Sequence, residues 1–202
     1  MYPPSIQKLI NFFSEFPGVG PRTATRFVFH LLKKEKSKIK ELALAILDLK
    51  KKIKFCEFCF KPFEPKESPN QMLCEICSNP LREKSSLCVV ANEIDLEAIE
   101  KTKKYKGRYF ILGGTIPALK KADFEKLRIK ELEKRLKHNP EIEEIILAFN
   151  PNTEGEATTL YLERILKPYN KKITKLAKGL PIGGEIEYAD EETLSFAILK
   201  RS

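Results

Sequence analysis

The sequence predicts an α+β protein made of several modules, and three features carry this prediction. The first part of the chain has amphipathic helical patterns around a turn rich in Pro and Gly. Two Cys-x2-Cys pairs follow within residues 56–77. From residue 86 onward, apolar strands alternate with amphipathic helices, which is typical of a mostly parallel sheet with right-handed crossovers. Because the three patterns occupy successive stretches, we expect successive modules.

The N-terminal module is predicted to be helical. Its first helix follows Ser5, a residue type that favours helix N-caps, and places Ile6 and Ile10 at helical spacing. A second helix is predicted over residues 23–34 and a third over residues 37–53. The third helix ends in three consecutive lysines, which suit the negative end of the helix dipole.

The turn between the first two helices is the stretch PGVGPR at residues 17–22, which predicts a helix–hairpin–helix. Without side chains, Gly18 and Gly20 let backbone N–H groups at a helix N-terminus come within hydrogen-bond reach of a phosphate. Arg22 and Arg26 lie four residues apart and therefore share one face of the second helix. We expect DNA binding that ignores sequence and depends strongly on salt. An ordinary turn without a ligand is the alternative.

The positive charge of the chain is concentrated in the same module. Residues 1–54 contain twelve Lys and Arg residues against four Asp and Glu residues, a net charge of +8 out of +9 for the whole chain. A basic module beside a nearly neutral one favours a polyanionic partner for the first module only. The alternative is a solvated, lysine-rich surface.

The cysteine spacing predicts a zinc site. Fourteen residues with three prolines separate the pair Cys56 and Cys59 from the pair Cys74 and Cys77. Four thiolates fill a tetrahedral zinc ion completely, so the site is expected to be structural. The intervening segment has too few apolar residues to fold unaided, and zinc supplies on the order of 10 kcal/mol to such modules. Two disulfides or four separate buried thiols are the alternatives. Cys88 is expected to be a small buried apolar residue.

The rest of the chain predicts an α/β domain followed by a terminal helix. The predicted strands are residues 86–91, 108–114, 143–151 and 171–177, and the predicted helices are residues 95–102, 123–138, 155–168 and 190–199. In parallel sheets the functional residues gather at the carboxyl ends of the strands. Those ends are residues 91–93, 113–114 and 150–156.

These strand ends resemble a magnesium site that has lost most of its acids. In the Toprim domains of topoisomerases and primases, an acid after the first strand and a loop of acids hold Mg²⁺. Here Ala91 stands at the first position, and Asn150 and Asn152 stand where paired acids would supply charge. Glu154 and Glu156 remain, at a helix start where acids also suit the dipole. We expect no catalysis; a Mg²⁺-dependent Toprim nuclease or primase-like enzyme is the alternative.

In this order, the motifs resemble the RecR family of bacterial recombination mediators along nearly the whole chain. The matching stretches are FPGVGPRTATRFVFHLL, the four cysteines, LCVVANEIDLEAIE, GRYFILGG, LAFNPNTEGEATTLYLERILKP and ITKLAKGLPIGGEIEYADEETL. The resemblance implies a helix–hairpin–helix DNA-binding module, a C4-type zinc finger, a Toprim domain and a C-terminal assembly segment. We expect these at residues 1–54, 55–80, 81–178 and 179–202, respectively.

The resemblance also implies a non-enzymatic role in DNA repair. It implies a tetrameric ring that encircles single- or double-stranded DNA and works with RecO, and with RecF where present. Together they help load RecA onto strands coated by single-strand-binding protein. By position, Arg22 and Arg26 match the family's DNA-binding residues and the four cysteines its zinc ligands. Glu154 and Glu156 match the acidic loop associated with RecO.

Two departures from the family pattern stand out. The gap between the cysteine pairs is longer than usual, and Ala91 replaces a common acid, which further weakens a metal role at the sheet. A zinc-ribbon interaction module without a nucleic-acid partner is a third interpretation, and the basic hairpin module conflicts with it. Because no secretory signal or membrane span is evident and the thiols suit a reducing compartment, we expect a cytoplasmic, nucleoid-associated protein.

Overall fold

The computed structural model describes residues 2–66, 68–116, 127–177, 179–180 and 182–199. The chain divides into two compact units, Met1–Ile53 and Lys54–Ser202. Across the described ranges, no helix combines the length and apolar character needed to cross a membrane.

The first unit contains helices α1 (Pro4–Ser14), α2 (Pro21–Leu32) and α3 (Lys36–Lys52). Helices α1 and α2 each begin at a proline, whose fixed φ is already helical and whose missing N–H would have no intrahelical partner. The prediction that Ser5 caps the first helix is therefore wrong. Pro3 is the N-cap, and Ser5 lies in the first turn.

A small apolar core joins α1 to α2. Ile10, Ala24 and Val28 are buried, and Val19 from the turn packs against them. Helix α3 differs, because none of its residues is buried. Its exposed apolar side chains are Leu42, Leu44, Ile46, Leu47 and Leu49.

The second unit is an α/β structure with a cysteine-containing hairpin at its start. Its strands in chain order are β1 (Lys54–Phe55), β2 (Pro62–Phe63), β3 (Ser86–Val90), β4 (Arg108–Ile111), β5 (Glu144–Ala148) and β6 (Lys172–Lys175). Its helices of four or more residues in the described stretches are α4 (Glu75–Ser78), α5 (Glu93–Lys101), α6 (Ile129–His138), α7 (Thr153–Leu166) and α8 (Glu191–Leu199).

The predicted parallel sheet is confirmed. Its spatial order is β4-β3-β5-β6, and every pairing in it is parallel, whereas β1 and β2 form a separate antiparallel pair. The central strand β3 is apolar along Leu87–Val90 and buried throughout. Within it, Cys88 is 2% exposed, as predicted, and burial raises the pKa of its thiol to about 12.

Within the described residues, helix α6 covers part of the helix that was predicted over residues 123–138. Residues 123–126 of the predicted helix lie outside the described residues, and the helix begins at Ile129. The preceding Leu127 is buried, and the amide of Arg128 donates to the carbonyl of Leu112 beyond β4 at 2.9 Å. Because this pairing takes the amide of Arg128 out of any preceding helical turn, α6 begins after it.

Candidate functional site

The turn between α1 and α2 exposes a helix N-terminus. Gly18 has φ +77°, which favours glycine, whereas Gly20 has an ordinary extended conformation (φ −80°, ψ 169°) and is the N-cap of α2 without a side-chain cap. A Cβ atom built at either glycine would meet no atom within 4 Å. The fold therefore does not need glycine at position 20, and the missing side chain leaves the first N–H groups of α2 open to an external acceptor.

Arg22 and Arg26 lie on α2 beside this opening. Both are exposed, and neither forms an ion pair with an acid in the described part of the chain. The structure thus brings Gly18, Gly20, Arg22 and Arg26 into one segment in which N–H groups, a helix dipole and two cations are available to a phosphate.

The four cysteines of the two pairs converge into one cluster. Their sulfur atoms all lie within 4.8 Å of one another, and all four residues are buried. Cys56 and Cys59 lie on the cysteine knuckle, defined here as residues 56–61, in which the amides of Cys56 and Phe60 donate to the carbonyls of Lys61 and Cys56, both at 2.9 Å. Cys74 is the N-cap of α4 and Cys77 lies within that helix.

The cluster fits a tetrahedral zinc ion. Zinc–sulfur bonds of about 2.3 Å place four sulfurs roughly 3.8 Å apart, close to the observed spacing. The sulfurs of Cys59 and Cys74 are 3.5 Å apart, and all cysteines are free thiols. The amide of Lys61 points at the sulfur of Cys59 at 3.4 Å, a contact that stabilises a thiolate. One mutual cluster suits a single ion better than two disulfides or scattered thiols.

The four thiols of the cluster perturb one another's pKa values. Hydrogen bonds from Cys59, Cys74 and Cys77 lower the pKa of Cys56, against the opposing effect of burial. Hydrogen bonds to the other three cysteines, together with burial, raise the pKa of Cys77. Four mutually coupled thiols in one buried cluster are the donor set that a divalent cation such as zinc takes.

The cysteine module is not an independent fold. The amide of Ile111 on the edge strand β4 donates to the carbonyl of Cys59 at 3.0 Å, and Phe60 packs edge-on against Phe110 at 5.4 Å between ring centroids. Phe58, with Phe63 and Ile76, belongs to the same apolar core as the sheet. The sheet therefore supplies the apolar contacts that the segment between the cysteine pairs lacks.

At the carboxyl edge of the sheet, asparagines cap the following helices. In Toprim enzymes, this edge holds a metal ion instead. Ala91 is 4% exposed and offers no ligand. The side-chain oxygen of Asn92 accepts hydrogen bonds from the amides of Ile94 and Asp95, and that of Asn152 accepts one from Gly155. Among the described residues, no group of acids has the geometry of a metal site. Sequence reasoning missed these caps, although an Asn just before each helical pattern signals them.

Glu154 and Glu156 lie in the first turn of α7. Glu154 is exposed, and its carboxylate accepts a hydrogen bond from the hydroxyl of Thr115 at 2.9 Å, which ties the loop after β4 to α7. Thr158 supports the same link, since its hydroxyl accepts from the amide of Ile116 at 2.8 Å. Glu156 is half-buried. Glu154 thus has a structural partner that the sequence did not reveal.

Gly155, between these acids, fixes the shape of the loop. A Cβ atom at this position would stand 1.9 Å from the carbonyl oxygen of Asn150. Replacing Gly155 with alanine should therefore displace the loop and lower the free energy of unfolding by about 1–3 kcal/mol, measured by denaturant unfolding. Gly179→Ala is the matched control, because a Cβ there meets no atom within 4 Å. Equal stability of the two variants would contradict the close packing.

Comparisons with known proteins cover all parts of the chain. Residues 6–50 match the family model described as RecR, helix-hairpin-helix, residues 85–177 match the Toprim domain, and residues 179–202 match RecR, C-terminal. The chain is similar to proteins named Recombination protein RecR. That of Rippkaea orientalis is 44% identical over 98% of this chain and 96% of its own length. The protein of Bifidobacterium animalis subsp. lactis is 46% identical over 98% of this chain and 95% of its own length. The protein of Staphylococcus aureus is 43% identical over 100% of this chain and 98% of its own length.

The relatives are more than 40% identical over nearly the full length of both chains, and two of the matching family models are specific for RecR. These two findings establish the family of this chain. The cluster of four cysteines, the helix–hairpin–helix match and the Toprim match agree with it. This chain therefore belongs to the RecR family of recombination proteins.

Proposed function

We propose that this protein is a DNA-binding recombination mediator in DNA repair and not an enzyme. It acts as a ring-forming clamp that, with RecO and with RecF where present, helps load RecA onto single-stranded DNA coated by single-strand-binding protein. The observation that carries this proposal is the open N-terminus of α2 at Gly20, beside Arg22 and Arg26. With DNA as its partner, the protein works at the nucleoid in the cytoplasm.

The four modules divide this work. We propose DNA binding for residues 1–54, a zinc finger for residues 55–80, a Toprim domain for residues 81–178 and an assembly segment for residues 179–202. Cys56, Cys59, Cys74 and Cys77 hold one structural zinc ion per chain. Supporting this role, the sulfurs lie within 4.8 Å of one another and the donors are all thiols.

Phosphate contacts that involve backbone N–H groups and arginine carry no sequence information. We therefore propose that the hairpin binds single- and double-stranded DNA regardless of sequence. The absence of an acid at position 91 and the use of Asn152 as a helix cap favour this role over Mg²⁺-dependent cleavage or primer synthesis.

Self-assembly is supported by apolar side chains at both ends of the chain. Helix α3 buries none of its residues. In the C-terminal segment, the exposed apolar residues include Leu180, Ile182, Ile186, Tyr188 and Leu199. Monomeric proteins seldom expose patches of this kind, so we propose that copies of the chain cover them in a tetrameric ring.

The mediator role is tested by RecA assembly on single-stranded DNA coated with single-strand-binding protein, followed through RecA-dependent ATP hydrolysis. Adding this protein together with RecO should shorten the lag before hydrolysis, whereas either protein alone should not. An unchanged lag at every ratio of the two proteins would overturn the proposal.

Glu154 and Glu156 are proposed to form the surface for RecO. Reversing both charges, by Glu154→Lys with Glu156→Lys, should abolish RecO binding at low salt because a basic partner would then meet like charges. Titration calorimetry measures the affinity. Loss of the dipole interaction alone would cost about 0.3–1 kcal/mol of stability for each acid.

Glu83→Lys with Glu141→Lys makes the same charge change at exposed acids before β3 and β5 and serves as the control. Raising salt should weaken RecO binding to the wild-type protein in parallel. If the α7 variant binds RecO as tightly as the control does, the two acids serve only the helix.

A further inference from the structure

Phe58 of the cysteine knuckle lies under two guanidinium groups from the α/β domain. The central carbon of Arg108, on β4, is 4.9 Å from the centroid of the Phe58 ring, and that of Arg135, on α6, is 4.2 Å from it. The ring is 7% exposed, so these contacts are shielded from water. Shielded contacts between a guanidinium and an aromatic ring are stronger than exposed ones.

Arg135 also reaches the backbone of the knuckle. Its guanidinium donates to the carbonyl of Glu57, which stands between Cys56 and Phe58. Two cations from two elements of the sheet domain therefore hold the short segment that joins the first two zinc ligands.

Neither arginine has a carboxylate partner in the described part of the chain. The Nε atoms of Arg108 and Arg135 are both buried without a hydrogen-bond acceptor. Both side chains are half-buried, and a partly desolvated cation without a carboxylate partner favours a compensating negative charge nearby. Burial lowers the pKa of Arg135, and attraction to Cys77, Cys56 and Cys59 opposes that effect.

A cysteine cluster that holds zinc would supply this compensating negative charge. Four thiolates around Zn²⁺ carry a net charge of −2, and two guanidinium groups carry +2. We propose that Arg108 and Arg135 are outer-shell residues of the zinc site, which position the knuckle through Phe58 and offset the negative charge of the four thiolates. This role rests on the zinc site proposed above for the four cysteines.

The test measures zinc release from the purified full-length protein to a chromogenic chelator. Arg135→Ala and Arg108→Ala should each release zinc about tenfold faster or bind it about tenfold more weakly, as is usual when an outer-shell partner is lost. Lys134→Ala is the matched control, because it removes one positive charge from the next position of α6 and should release zinc as the wild-type protein does.

A second readout separates charge from packing. The pH at which half of the zinc is released should rise in Arg135→Ala, because the thiolates lose a nearby cation and protonate more readily. Arg135→Lys should restore that pH but not the slow release, since lysine keeps the charge and loses the planar stack. Phe58→Leu should speed release with little effect on the pH midpoint. Should an alanine variant fail to fold, Arg135→Lys and Phe58→Leu still decide the question.

The possible failures can be distinguished. Wild-type protein without zinc, purified under reducing conditions, would refute the zinc site itself. Zinc bound by the wild-type protein, with the same release rate and pH midpoint in all arginine variants, would refute only the role of Arg108 and Arg135. Cobalt-loaded protein reports through its thiolate absorption bands whether each variant keeps four sulfur ligands.

Discussion

Replacing Arg22 and Arg26 together with alanine should weaken DNA binding roughly 10- to 100-fold near 0.1 M salt for each hairpin that contacts DNA. The slope of log affinity against log salt should flatten by about two, because two phosphate contacts are lost. The loss should be the same for unrelated sequences. Fluorescence anisotropy with labelled oligonucleotides across a salt series measures both quantities. The stability should change by no more than about 0.5 kcal/mol, since both side chains are exposed.

Gly20→Ala is the informative companion variant. A Cβ at position 20 meets no protein atom within 4 Å, so the fold should tolerate it, yet the added methyl stands where a phosphate would approach. We expect weaker DNA binding, with a stability loss of no more than about 1 kcal/mol because alanine is a poorer N-cap than glycine. If the arginine pair and Gly20 can all be replaced without effect over the whole salt range, the hairpin is only a structural turn.

Removing the zinc should destabilise the second unit strongly. At a thousandfold excess of zinc over its Kd, the bound ion contributes about 4 kcal/mol to stability, which corresponds to a Tm difference of about 8–16 °C for a domain of this size. Chelation, or Cys74→Ser, should therefore release one zinc per chain and lower Tm by about that amount. Because the hydrogen bond from Ile111 to Cys59 joins the knuckle to β4, hydrogen exchange should increase along β4 as well.

Cys88→Ala is the control for this experiment. Cys88 is buried in β3 outside the cluster, so its replacement should leave the zinc content at one ion per chain. The helices of the first unit, which has its own apolar core, should keep their exchange protection after chelation. Metal-free protein from a reducing purification, or a Tm insensitive to chelators, would contradict a structural zinc site.

The structural features that follow from repeating patterns or fixed spacings in the sequence were predicted correctly. The apolar run of β3 and the alternation of strands and helices predicted a parallel sheet, and the pairing of β3 with both neighbours confirms it. The cysteine spacing likewise predicted one cluster, since two Cys-x2-Cys pairs have few other arrangements. The patterns that signal these features lie within short stretches of the chain, so they can be recognised before the tertiary contacts are known.

Features that depend on tertiary contacts were missed or misplaced. Helix α6 starts at Ile129 because Arg128 pairs with Leu112, a contact across sixteen positions that no local pattern reveals. The stacking of Arg108 and Arg135 on Phe58 joins three separate segments. The first helix cap was predicted wrongly for a different reason. Both Pro4 and Ser5 favour a helix start, and the helix begins at Pro4, so its N-cap is Pro3 and not Ser5.

The mass of the assembled protein in solution, measured by light scattering with and without circular single-stranded DNA, tests the ring-forming clamp most directly. We expect a mass of four chains, each of 23.2 kDa, that stays intact and moves with the DNA. The Arg22 and Arg26 double variant should keep that mass and remain separate from the DNA. A mass of one chain under both conditions would contradict the account.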